Sequence, residues 1–319
     1  MTRPSAKNAK PLAEAMREVI RALRSENASP DTVEGSREKW GPFFAYLDER
    51  LDGEPTIADF TLEHARDYMI YRLDPEDGRR ALRPVSGGTH VRTLRAISGW
   101  FYKEGLTGEH RLARLGVPKL DVEPEGRVLS TDERLALFAG ARGMSQTARR
   151  NVAILAVLDD VGPRVSELVA LEREDVRLDD RSVLHLPAKR GLVRTLPLGT
   201  QSARILRDLV GTRRVTGPLF VQRGGGRMTD DAVRSMLVRL SEETGVGRVS
   251  PHDFRHTAST NYSANGADEA IKNKVFGWKP DKRSMNQRYT HLTPEQVVAA
   301  HQRLSPLDQL APFRRPRAA

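Results

Sequence analysis

The sequence predicts a mainly α-helical chain with a small β-sheet, divided between a helical N-terminal domain and a larger α+β C-terminal domain. Apolar residues recur at helical spacing through the first third of the chain, and a stretch with prolines, a glycine and no period follows near residue 120. Two β-rich runs then lie close together, at 182–186 and 192–198. A length of 319 residues also exceeds the usual size of one compact core, so two domains are the natural expectation.

In chain order, Ser29-Pro30 opens a helix over 29–50 in which Val33, Trp40, Phe43, Phe44 and Leu47 recur at helical spacing. A second helix spans 61–73 and carries Leu62, Ala65, Tyr68, Met69 and Tyr71, after which Pro75, Gly78 and Pro84 mark a loop. From 89 to 104, Val91, Leu94, Ile97, Trp100 and Phe101 form an apolar face, with Arg92 and Arg95 on a basic one. That helix can pack inward and present its arginines to phosphate, although ordinary solvated arginines would look the same. The segment VPKLDVEPEGR, 117–127, reads as the connection, with a first domain over 1–120, a linker over 121–127 and a second domain over 128–319.

The second domain opens on Ser130-Thr131-Asp132-Glu133, which has the form of a capping box. The run NVAILAVL at 151–158 is apolar nearly all round, as a buried central helix requires. The β-rich runs read as a hairpin joined by 187–191 with Lys189 near its tip; the remainder is helical, with breaks at Pro218, 224–226 and 245–247. Asp159-Asp160 and Asp179-Asp180 read as solvated turn charges. Residues 294–303 form a last helix, and 304–313 a tail with apolar spots.

Composition narrows the partners. Lys and Arg number 52 against 42 Asp and Glu, giving a formal charge of +10 and a pI near 10.1. Such an excess attracts a polyanion, so nucleic acid is the first candidate and a solvated basic surface the alternative. The absence of Cys excludes a disulfide framework and thiolate zinc sites, and fits a reducing cytoplasm. MTRPSAKNAK leads into no apolar signal region, and no run of about 18 apolar residues occurs. A soluble intracellular protein without a membrane partner is expected.

Two clusters carry chemistry. In Val161-Gly162-Pro163-Arg164-Val165-Ser166-Glu167-Leu168, Pro163 suits a first helical turn and Arg164 sits at the helix start, with Glu167 on the same face to orient it. In Ser250-Pro251-His252-Asp253-Phe254-Arg255-His256-Thr257, Ser250 is a credible N-cap, and His252 and Arg255 share a face at i,i+3 spacing. His256 is expected to point away from that face as a structural residue. Phe276-Gly277-Trp278 and Arg288-Tyr289-Thr290-His291-Leu292 lie downstream.

The order Arg164, Lys189, His252-x-x-Arg255, Trp278, Tyr289 resembles the signature of the tyrosine recombinases, also called phage or lambda integrases. The resemblance spans about 130–291, and the helical N-terminal part is similar to the family's SAM-like core-binding domain. Trp278 stands in FGW where His in LGH is usual, a replacement found within the family. The interval from Trp278 to Tyr289 is longer than in many relatives.

The resemblance implies strand cleavage by Tyr289 through a 3′-phosphotyrosyl link, leaving a free 5′-hydroxyl. A phosphodiester repels nucleophiles and gathers charge on its non-bridging oxygens during substitution. Arg164 and Arg255 suit that charge as a phosphate clamp, because each guanidinium is planar and permanently protonated. His252 is the candidate general base for a phenol whose ordinary pKa is about 10. Lys189 is the expected acid for the departing 5′-oxygen, and Trp278 can offer an indole N–H to a phosphate oxygen. Arg190 and Arg194 are expected to touch backbone phosphates. No metal or nucleotide cofactor is implied, and Gly224-Gly225-Gly226 lacks the Lys-Ser/Thr of a phosphate-binding loop.

Further implications are double-stranded DNA with inverted-repeat core sites as partner, a homo-tetramer on DNA and accessory DNA-bending proteins. The 304–313 tail would dock on a neighbouring protomer, in the cytoplasm of a prokaryotic or viral host cell. Relaxation of supercoils in the manner of type IB topoisomerases, or an inactive DNA-binding relative, are the competing functions.

Overall fold

The computed structural model describes residues 10–28, 30–119, 126–143, 145–179, 182–187, 193–211, 216–278 and 293–310. Met1–Pro124 forms one compact unit and Glu125–Ala319 a second. Among the described residues no helix is long and apolar enough to cross a membrane.

The first unit is built from α1 (Leu12–Ser25), α2 (Pro30–Asp48), α3 (Leu62–Leu73) and α4 (Pro84–Lys103). Leu12, Ala15, Met16, Val19 and Ile20 form the buried stripe of α1, a helix not singled out from the pattern above. Phe43, Phe60, Tyr68 and Phe101 meet at the centre, with ring centroids 5.1 Å apart for Phe43 and Tyr68 and 5.2 Å for Phe60 and Phe101. α4 begins at Pro84, earlier than the expected 89, because proline at the first helical position gives up an N–H that has no helical partner there. Val91, Leu94, Ile97 and Phe101 face the core, while Arg92 is exposed and Arg95 partly so.

The second unit opens with α5 (Thr131–Gly140), whose capping box is formed: Ser130 Oγ accepts the Glu133 N–H at 3.2 Å, and Glu133 Oε2 accepts the Ser130 N–H at 2.7 Å. α6 (Gln146–Val161) runs through the core with every residue from Ala153 to Val161 buried, as its all-round apolar pattern requires. The short α7 (Val165–Ala170) leads to an antiparallel sheet of β1 (Val176–Arg177), β2 (Val183–Pro187) and β3 (Val193–Pro197), in that order. β2 and β3 are the expected hairpin, in register Leu184↔Leu196 and Leu186↔Arg194, and β1 adds an edge not read from sequence. α8 (Thr200–Val210), α9 (Asp230–Thr244), α10 (Pro251–Ala264), α11 (Glu269–Phe276) and α12 (Pro294–Leu304) complete the unit.

Two expectations are corrected here. Asp159 and Asp160 are fully buried rather than solvated. They sit in the last turn of a helix enclosed on all sides, so neither can reach water. Asp159 receives Arg134 Nε at 2.6 Å and the Nη2 of the same guanidinium, which also donates to the Pro306 carbonyl at 2.8 Å. Burial still pushes the Asp159 carboxyl up, against the pull of Arg134. For Asp160, burial works in the same sense but is outweighed by His301, 3.2 Å away, by Ser305 Oγ at 2.6 Å and by the Gly199 N–H at 2.8 Å; the carboxyl is held below its ordinary range.

The second correction concerns the tail. Leu304, Leu307 and Leu310 are buried in the core of their own unit, and Asp308 caps α8 by accepting the Thr200 and Gln201 N–H groups at 2.7 and 2.8 Å. Residues 304–310 are therefore fold, not a free arm for a neighbour; 311–313 lie outside the described residues.

Arg134→Ala leaves the Asp159 carboxylate without its cation, and chemical denaturation should show a loss of about 3–5 kcal/mol. A chain ending at Arg303 loses three buried leucines and a helix cap, so its unfolding midpoint should fall sharply, by at least about 3 kcal/mol of stability; an unchanged midpoint would contradict the packing described.

Candidate active site

α6 ends at Gly162, whose φ of 50° is left-handed. A Cβ there would meet Phe276 at 3.0 Å and the Arg255 main chain at 3.2 Å, so glycine alone lets α6 stop this close to α10. The chain turns through Pro163 to Arg164, which caps α7; Pro163 thus precedes the helix instead of opening it.

Glu167 is the carboxylate of the site. It accepts the Arg164 backbone N–H at 2.9 Å and Arg164 Nη1 at 2.9 Å, as the i,i+3 spacing anticipates. It also accepts Arg194 Nη2 at 2.9 Å, a contact that spacing along one helix does not reveal. Arg194 lies across from Leu186 on β3, so its side chain shares the inward face with Leu184, Leu186 and Leu196. Only 15% of it is exposed, against 51% for Arg164.

α10 starts as expected. Ser250 is its N-cap, Pro251 its first residue, and Asp253 returns to the Ser250 N–H at 2.8 Å. Arg255 is buried, and its guanidinium donates to the Gly162 carbonyl at 2.7 Å and to that of Phe276. One side chain so ties the turn before Arg164 to the end of α11. Gly277, with φ of 62°, caps α11 and sets its Cα against the Arg194 guanidinium, which a side chain at 277 would strike. Trp278 follows, 39% exposed, stacked on Phe276 at 5.1 Å with the Arg255 guanidinium 5.8 Å from its ring.

His256 does not point away. Its Nε2 lies 2.9 Å from the Nε2 of His252, with ring centroids 4.3 Å apart and near-perpendicular planes. Residues four apart on a helix share a face as surely as residues three apart, and the expectation set that aside.

Burial lowers the Arg255 pKa to about 10, and the Arg164 and Arg194 charges push the same way while Glu167 opposes them. Burial likewise lowers Arg194, with Glu167 opposing and Arg164 assisting. His252 is held below the ordinary imidazole range by burial, then by His256 and Arg255, against the pull of Asp253. At neutral pH it is an uncharged imidazole with a lone pair to offer. The arrangement brings three guanidiniums about one carboxylate, beside a neutral base and an indole edge, which suits an anion that gains charge during reaction.

The structure thus gathers Arg164, Glu167, Arg194, Arg255, His252 and Trp278. Lys189, Arg190 and Tyr289 lie outside the described residues. Arg92 and Arg95 belong to the first unit.

The model of the Phage integrase family matches residues 127–296. A tyrosine recombinase XerD of Mycobacterium tuberculosis is 30% identical over 238 residues, covering 70% of this chain and 74% of the relative. The fold is similar to that of the Tn1549 transposon integrase solved in complex with a circular-intermediate DNA, with a TM-score of 0.66 at 18% identity over 93% of this chain and 100% of that one. It is also similar to a lambda integrase tetramer solved on a Holliday junction, with a TM-score of 0.64 at 17% identity over 88% of this chain and 81% of that one. The chain belongs to the phage integrase family, the tyrosine site-specific recombinases.

Proposed function

We propose that the chain cuts and rejoins DNA at specific sites by passing a DNA 3′-phosphate onto the Tyr289 phenol. The observation that carries this reading is the gathering of Arg164, Arg194 and Arg255 about Glu167, with the neutral His252 imidazole one helical turn from Arg255.

Two of the five Arg255 donors are engaged by main-chain carbonyls, so the rest remain for the non-bridging oxygens of a phosphodiester. Arg164, half exposed, supplies a second fork, while Arg194 is spent on holding Glu167. His252 takes the phenol proton as the Tyr289 oxygen attacks phosphorus, and the bond to the 5′-oxygen breaks as Lys189 protonates it. Trp278 donates its indole N–H to a phosphate oxygen or walls the site; it has no proton to exchange. The phosphotyrosine conserves the ester energy, so rejoining by a 5′-hydroxyl reverses the steps without a nucleotide.

The first unit serves as the DNA-clamping, core-binding domain, divided from the catalytic domain near 121–127, with Arg92 and Arg95 on backbone phosphates; Arg190 does the same from the hairpin. The substrate is double-stranded DNA with inverted-repeat core sites, bound by a tetramer and helped by DNA-bending proteins at the nucleoid of a prokaryotic cell. In support, the two structural relatives named above were solved on DNA, one of them as a tetramer.

Tyr289→Phe should bind core-site DNA with unchanged affinity and trap no covalent adduct on a nicked suicide substrate in a denaturing gel; an adduct that persists moves the nucleophile elsewhere. Lys189→Ala should cleave about a hundredfold or more slowly, within the range for loss of a general acid. It should recover on DNA with a sulfur in place of the 5′-oxygen, because a thiolate leaves without a proton. Failure to recover removes Lys189 from the acid role.

A further inference from the structure

The His252–His256 pair limits what His252 can do. The two Nε2 atoms are 2.9 Å apart, so one carries hydrogen and the other a lone pair. If His256 were the donor, a neutral His252 would hold its proton on Nδ1 and its only lone pair would be occupied. No basic nitrogen would be left for a phenol. If His252 is the donor, its Nδ1 lone pair is free.

The surroundings hold His256 where it can accept. Gly126 backs directly onto its ring: a Cβ on Gly126 would fall 2.6 Å from three of its carbons. The backbone there is pinned, since Arg127 donates to the Arg248 and Val246 carbonyls at 2.6 and 2.7 Å. The Leu129 N–H also donates to Thr257 Oγ1 at 2.8 Å, beside His256 on the same helix. The ring is therefore confined between Gly126 and His252.

We propose that His256 is a positioning residue for the reaction: its Nε2 accepts the His252 Nε2–H, fixes that tautomer, and leaves His252 Nδ1 as the proton acceptor. The inference rests on the recombinase reading given above. In the cleavage step the Tyr289 O–H bond breaks and its proton goes to His252 Nδ1, while the phenolate oxygen forms the bond to phosphorus. His252 becomes an imidazolium that donates more strongly to His256; rejoining returns the proton by the same path.

The test uses the full chain labelled with 15N-histidine. Long-range 1H–15N spectra of the free protein at neutral pH should show His252 as the Nε2–H tautomer, and His256→Ala should shift it toward a mixture. On a nicked suicide substrate at saturating protein, His256→Ala should form adduct about tenfold to a hundredfold more slowly at unchanged DNA affinity, the usual scale for loss of an orienting partner. His256→Gln, whose Oε1 can accept the same hydrogen, should recover most of that rate. An Nδ1–H tautomer in the unaltered protein overturns the inference, as does an unchanged adduct rate in His256→Ala, or a Gln variant as slow as the Ala variant despite an intact thermal transition. If the unaltered protein forms no adduct at all, the recombinase reading fails instead, and the spectra still decide the tautomer.

Discussion

The second unit depends on a single buried guanidinium, that of Arg255. Arg255 reaches from α10 to the carbonyls of Gly162 and Phe276, and so ties together two helix ends that also pack against each other. Both carbonyls lie at C-termini, where a helix leaves acceptors unpaired and favours positive charge. The same two bonds set the turn that presents Arg164 and the corner that presents Trp278. Gly162 and Gly277 are the hinges of this arrangement: each ends its helix left-handed, and each lies against a neighbour that leaves no room for a side chain.

Bringing cations together in this way is costly, and the rest of the site mitigates the cost. Glu167 serves Arg164 and Arg194 at once and spends a further lone pair on the Arg164 backbone. Its geometry therefore answers to three donors and has little freedom left. Repulsion from Arg164 and Arg194 adds to burial in lowering Arg255. At a pKa of about 10 the guanidinium still carries its charge at neutral pH. Its charge also helps keep His252 neutral, so the buried guanidinium and the imidazole are electrostatically linked.

Much of this was legible in the sequence because it follows local rules. Capping boxes at Ser130 and Ser250, the hairpin and the buried run of α6 all come from patterns within a few residues. The misses share a cause, which is that they concern faces and enclosure. Strand alternation from Leu192 through Arg194 to Leu196 and Leu198 already puts Arg194 on the inward side, whereas its charge suggests contact with backbone phosphates. Asp159 and Asp160 continue a helix apolar all round, and their charges were read as its end when their partners were Arg134, His301 and Ser305, far away in the chain. No local period could name those partners. The 304–310 segment was misread for the same reason: its apolar spots are spaced for a core that only the fold supplies.

Three guanidiniums around one carboxylate leave the folded unit with an excess of positive charge at one partly buried place, a standing electrostatic load. Any multivalent oxyanion that settles there relieves it, and because the unfolded chain offers no such convergence, the relief appears as added stability. The choice of purification buffer is then part of the protein's energetics: sulfate or phosphate should favour the folded chain, and chloride should not.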